Sequence, residues 1–128
     1  MKQTVLICDD DVQFVTFLDR TLKRGGFSVI TVSDGCEVPE IIQRTAVDIL
    51  LLDLQMPGMN GWEVLRSLKE VTAWPGNGQR PKVIVISGRN EDETVSFVRR
   101  LGADAYLMKP LWGDEILATV RSVLGNGR

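Results

Sequence analysis

The chain has 128 residues, 44% of them hydrophobic and 25% charged; one domain over residues 1–128 is expected, large enough to fold without disulfide or structural metal. A net charge of −2 argues against nonspecific binding to nucleic acid or to an anionic membrane. The lack of any histidine excludes Ser-His-Asp and Cys-His catalysis and His-based zinc sites, and no apolar stretch approaches the roughly 20 residues that span a bilayer.

The first predicted strand, residues 3–8, runs into Asp9-Asp10-Asp11. A helix follows, with Phe14, Phe17, Leu18 and Leu22 on one stripe and Gly25-Gly26 at its end. Asp11 reads as its cap, because a carboxylate suits a helix start. A second strand is predicted at Ser28–Val32, then a helix with Val38, Ile41, Ile42 and Thr45 on one face. The third strand, Ile49–Asp53, is apolar until it closes on a carboxylate. The loop after it carries Met56, Pro57, Gly58, Met59, Asn60 and Gly61; a helix follows, striped by Val64, Leu65, Leu68 and Val71. Trp62 reads as packing on that helix, and Gly61 as a close approach near its start. Residues 72–81, TAWPGNGQRP, form a loop longer than the median connection. The fourth strand, residues 83–87, ends in Ser87, and a weaker stripe of Val95, Val98 and Leu101 closes at Gly102. The fifth strand, Ala105–Met108, leads to Lys109-Pro110, and Ile116, Leu117, Val120, Val123 and Leu124 mark the last helix. Cys8 reads as a small buried hydrophobe. Two cysteines and no recognisable signal peptide point to a reducing cytoplasm.

Five strands alternating with five helices predict an α/β fold: a doubly wound parallel sheet with helices on both faces. The near-continuous apolar strands agree, since both faces of such a sheet are covered. In a parallel sheet all C-terminal strand ends lie on one edge, where ligands of open α/β folds bind. Asp9, Asp10, Asp53, Ser87 and Lys109 therefore converge, although up to a hundred residues separate them. Clustered carboxylates repel one another unless a cation sits among them. Oxygen ligands without histidine or cysteine favour Mg²⁺. Such a site suits phosphoryl transfer to a carboxylate, with Lys109 as a mobile positive charge and Ser87 as a hydroxyl for a phosphoryl oxygen.

The motifs VLICDDD, LLLDLQMPGMNGWE, VIVISGR and YLMKPL, in this order and spacing, resemble those of response-regulator receiver domains of two-component signalling. The resemblance covers essentially the whole chain. It implies a flavodoxin-like fold with strand order 2-1-3-4-5. It implies that Asp53 accepts phosphate from a sensor histidine kinase, a phosphotransfer protein or small phosphodonors. It implies Mg²⁺ held by Asp10, Asp53 and the backbone carbonyl of Gln55, with Asp9 nearby. It further implies Ser87 as the switch hydroxyl, Tyr106 as the aromatic that follows it, and a cis peptide at Lys109-Pro110. The signal would pass to an output protein or domain, with no direct nucleic-acid or membrane contact, and a phosphorylation-dependent homodimer is left open. Enzymatic activity would be limited to self-phosphorylation and slow self-dephosphorylation.

Three features depart from the family pattern. Trp112 stands where a capping Ser, Asp or Asn is usual, which predicts a later helix start with Asp114 near its first turn, and a partly exposed indole. Gln55 and Arg89 line the entrance to the phosphate at positions that vary in the family. The 72–81 loop reads as a surface insertion. Phe97 lies off its helix's main stripe, either buried or on a partner surface with Tyr106 and Trp112. A rival reading takes Asp9-Asp10-Asp11-Val12 as the signature of haloacid-dehalogenase-like phosphatases, with Asp9 as nucleophile. That reading leaves Asp53 and its loop without a role and lacks the family's late acidic motif. A phosphorylation-independent interaction module on the same fold is a third class; such modules usually lose an acidic residue or the lysine.

Overall fold

The computed structural model describes residues 2–56, 58–76, 78–88 and 92–125, without the side chains of Asp92 and Glu93. The expectation for Arg89 therefore lies outside the described residues. The elements are β1 (Thr4–Cys8), α1 (Val12–Arg24), β2 (Ser28–Val32), a 3₁₀ turn at Gly35–Glu37, α2 (Val38–Arg44), β3 (Ile49–Asp53), α3 (Gly61–Leu68), β4 (Lys82–Ser87), α4 (Asp92–Arg100), β5 (Ala105–Met108) and α5 (Gly113–Gly125). The strands form one parallel sheet in the order β2-β1-β3-β4-β5, as expected.

Strand alternation divides the core into two layers. Leu6, Cys8, Leu50, Leu52, Val83 and Val85 face α2, α3 and α4, where Ile42, Leu65 and Val98 cover them. Val5, Ile7, Ile49, Leu51, Ile84 and Ile86 face α1 and α5, where Leu18, Leu22, Ile116 and Val120 cover them. Each fully buried aliphatic side chain contributes about 1.5–3 kcal/mol. This two-sided burial explains why β1, β3 and β4 read as continuous apolar runs.

Helix boundaries follow local chemistry. Asp11 caps α1, its carboxylate accepting from the Phe14 N–H at 3.2 Å. Asn60 caps α3 in a reciprocal box: its side chain accepts from Glu63 N, and the Glu63 carboxylate accepts from Asn60 N. Helix α3 stops at Leu68, so Val71 falls beyond it. Helix α5 begins at Gly113, directly after Trp112, whose carbonyl accepts from Ile116 N. Asp114 and Glu115 occupy its first turn, and Trp112 is 81% exposed. Trp74, in the long loop, packs against the α2–α3 layer. No helix among the described residues is long and apolar enough to cross a membrane.

Candidate functional site

The crossovers from β1 and β3 leave the sheet in opposite directions, which opens a crevice at their C-terminal ends. Asp9 and Asp10 follow β1, and Asp53 ends β3. One carboxylate oxygen from each of the three can be chosen so that all lie within 4.8 Å of one another. Asp9 and Asp53 are buried while Asp10 is exposed, so the cluster opens to solvent on one side.

The two buried acids are held by local hydrogen bonds. Asp9 Oδ1 accepts from Asp11 N at 2.9 Å. Asp53 Oδ1 accepts from Gln55 N at 3.4 Å. Lys109 Nζ lies 2.9 Å from Asp9 Oδ2 and 4.0 Å from Asp53 Oδ2. The Lys109–Pro110 bond is cis, as expected. Burial pushes the Asp53 carboxyl up to about 6, the Asp9 charge adds to this, and Lys109 opposes it. A carboxylate raised mainly by desolvation and a like charge is one that a divalent cation would relieve.

Ser87 is buried at the end of β4, one residue past the partner of Asp53 in the ladder. Its carbonyl accepts from Lys109 N at 2.8 Å, which ties the serine and the lysine through the backbone. Tyr106 pairs with Val85 in the β4–β5 register and is half-buried against the α2–α4 layer. Thus Asp9, Asp10, Asp53 and Lys109 form one cluster, and Ser87 is tied to it through its carbonyl. Tyr106 lies one layer away, behind the strand that carries Ser87.

The loop after Asp53 is braced on three sides. Cys8 Sγ donates to Met56 Sδ at 3.3 Å, and both Met56 and Met59 pack on the core. Burial, then the Asp9 charge, pushes the Cys8 thiol up to about 12, so it acts as a packed hydrophobe and not as a thiolate. A Cβ at Gly61 would strike the Asp53 carbonyl and Leu54 Cα, which explains glycine at the start of α3. Gly58 adopts φ 71°, and a Cβ there would strike the Asp34 carboxylate.

Asp34 and Phe14 are site neighbours that the sequence reading missed. Asp34 accepts hydrogen bonds from Cys36 N and from the backbone of Met59, which hold its carboxyl below the usual range. It thereby fastens the turn after β2 to the loop after β3. The Asp34-Gly35 dipeptide was a readable turn signal. Phe14 was counted only as core, yet its ring centroid lies 4.5 Å from Lys109 Nζ. Phe97 is 37% exposed and stacks edge-on against Trp62 at 5.3 Å. It therefore bridges α3 and α4, which neither sequence alternative for it anticipated.

The response regulator receiver domain family matches residues 5–121. The chain belongs to that family. It is 32% identical over 124 residues to the DNA-binding response regulator MtrA of Mycobacterium tuberculosis, covering 97% of this receiver and 51% of MtrA. The receiver thus spans about half the length of the curated relatives it matches. Among solved structures it is similar to a CheY-like receiver domain protein from Methanospirillum hungatei, with TM-score 0.85, 28% identity and coverage of 98% and 96% of the two chains. It is also similar to the BeF3-activated receiver domain of DrrB, with TM-score 0.83, 26% identity and coverage of 98% and 99%. The protein is therefore a two-component signalling receiver with the flavodoxin-like fold.

Proposed function

We propose that residues 1–128 act as one phosphoacceptor domain in which Asp53 receives a phosphoryl group. The observation that carries this reading is the pocket itself: three carboxylates within 4.8 Å, with Lys109 4.0 Å from Asp53. An Asp53 carboxylate oxygen attacks phosphorus, the bond from phosphorus to the donor breaks, and an acyl phosphate forms. A phosphohistidine donor leaves as imidazole, and that histidine comes from a partner, because this chain contains none. The donor is a sensor histidine kinase or a phosphotransfer protein; acetyl phosphate serves as a small substitute.

Asp9, Asp10 and Asp53, with the Gln55 carbonyl, are the groups that would hold Mg²⁺. A bound Mg²⁺ supplies charge neutralisation for the carboxylates and for the incoming phosphoryl group. Lys109 pairs with a phosphoryl oxygen, and the Ser87 hydroxyl donates to another. The acyl phosphate places about −1.5 to −2 of charge in the pocket. Ser87 is drawn toward it, the β4–α4 loop follows, and Tyr106 moves inward. This re-biases the α4–β5–α5 face between two populated states. Activity is limited to self-phosphorylation and slow self-dephosphorylation, in a cytoplasmic protein. The output is altered affinity for a partner protein or domain; the relatives named as DNA-binding regulators suggest a transcriptional one. A phosphorylation-dependent homodimer is one form that output can take.

The test is intact mass after acetyl phosphate and Mg²⁺. Wild type is expected to gain one phosphoryl group and Asp53→Asn none. Equal labelling of both, or a phosphopeptide mapped to Asp9, refutes the assignment; the second result supports the phosphatase-like alternative.

A further inference from the structure

Lys109 carries the only positive charge that the described residues place against the carboxylate pair of Asp9 and Asp53. A lysine is a flexible four-carbon stem with a strongly hydrated head, poorly fixed by a single ion pair. Here the ammonium has a third neighbour. Lys109 Nζ lies over the Phe14 ring, 4.5 Å from its centroid, well inside the distance at which a ring face attracts a cation. The ring is itself held in place. The Phe14 backbone N–H donates to the Asp11 cap, and its ring packs against Phe17 with centroids 6.2 Å apart. Both aromatics rest on the α1–α5 core layer.

We propose that Phe14 is a positioning residue for phosphoryl transfer: its ring face keeps the Lys109 ammonium inside the pocket, beside Asp9 and within reach of Asp53. This rests on Asp53 being the phosphoacceptor. The physical reason lies in how the three partners of the ammonium differ. Asp9 and Asp53 are shared with any divalent cation that enters the cluster, and their hold on Lys109 weakens when it does. The attraction of the ring is not shared in that way. Phe14 therefore retains the lysine at the moment the carboxylates are engaged elsewhere, when a phosphoryl oxygen needs it. The ring also excludes water from one side of an ammonium whose side chain is only 26% exposed.

The first measurement is made on the metal-free, unphosphorylated protein. Proton–carbon spectra should show the Lys109 ε-methylene upfield of the other lysines, from the ring current of Phe14. Phe14→Tyr should keep that shift, and Phe14→Leu should lose it. The second measurement is the rate of Asp53 phosphorylation by acetyl phosphate with Mg²⁺, acetate being the leaving group. Phe14→Leu should be slower by about three- to tenfold, the range expected for a partly shielded cation–ring contact, and Phe14→Tyr should stay within about twofold of wild type. Phe14→Met is a second ring-free variant should Phe14→Leu fold poorly, and melting curves establish the fold of each. A wild-type rate in the ring-free variants overturns the proposal. So does an unshifted Lys109 in wild type, or a Phe14→Tyr protein as slow as Phe14→Leu. Failure of wild type itself to take phosphate on Asp53 is a different result, since it removes the phosphoacceptor reading and leaves the Lys109 shift to report the ring contact alone.

Discussion

At the N-terminal edge of the sheet, Asp48 and Asp104 each stand just before a strand and grip the first residues of its neighbour. Asp48 Oδ2 accepts from Thr4 N at 2.7 Å, and Asp48 N donates to Thr4 O. Asp104 Oδ2 accepts from Val83 N at 2.7 Å, and Asp104 N donates to Val83 O; Arg80 adds an ion pair at 3.6 Å. At the C-terminal edge, Asp9, Asp10 and Asp53 turn toward one another, with Lys109 as the cation between two of them. One residue type thus occupies both edges of the same sheet. Carboxylates that each complete a backbone pair stabilise the ladder and fix its register. Carboxylates that face each other repel, and a cation among them would relieve that repulsion. The difference separates aspartates that complete the backbone ladder from those that face one another.

The largest test of this contrast is kinetic. On the proposed function, Asp10→Ala should slow phosphorylation by acetyl phosphate on the order of a hundredfold, because it would remove an oxygen ligand from a cation worth several kcal/mol to the transition state. Asp48→Ala should leave the rate within about twofold of wild type. Similar losses in both would show that the two edges are not functionally separate. Titration of each variant with Mg²⁺ sharpens the point, since only Asp10→Ala should need far more of the ion.

Stability should rank the same residues in reverse. Asp48→Ala strands the Thr4 N–H, and Asp104→Ala strands the Val83 N–H and removes the ion pair to Arg80. Each should cost about 1–3 kcal/mol in urea unfolding. Asp10→Ala should cost less than about 0.5 kcal/mol or stabilise the protein, since it lowers repulsion at an exposed position. A cost at Asp10 equal to that at Asp48 would break the comparison.

The C-terminal edge was legible in the sequence and the N-terminal edge was not. Apolar strand runs ending in Asp9, Asp53, Ser87 and Lys109 signal a shared edge, because parallel topology forces their ends together. Asp48 and Asp104 carry no such signal: an aspartate before a strand reads the same whether it is solvated or stapling a neighbour. The strands agreed with expectation to within one residue at their starts, because two-sided burial leaves an unbroken apolar run. The loop chemistry stayed hidden for a different reason. Asp34 reaches Met59 and Phe14 reaches Lys109 across turns whose relative placement only the folded sheet defines. Trp74 gave no periodic signal, since it packs from a loop rather than from a helix or strand.

The smallest effect is also the most diagnostic of crowded charge. The Asp53 carboxyl, pushed up to about 6 in the folded protein from an ordinary 3.8, binds more protons folded than unfolded between those values. Stability therefore falls as pH rises through this window: the contribution of Asp53 is fullest below about 3.8 and is lost as pH passes about 6. Asp53→Asn does not titrate, so without Mg²⁺ it should exceed wild type in stability at pH 7 by about 1 kcal/mol, after discounting for solvent screening. The gap should close as pH falls toward 4. Adding Mg²⁺ at pH 7 should close it from the other side, because the ion binds the native wild-type cluster more tightly than a cluster lacking the Asp53 charge. Urea midpoints across pH, with and without the ion, read both effects. A gap that is constant with pH means that Asp53 ionises as freely as an aspartate in water. A gap that widens toward acid means that the folded pocket favours its charge. Either result would remove the repulsion that distinguishes this edge of the sheet from the one held by Asp48 and Asp104.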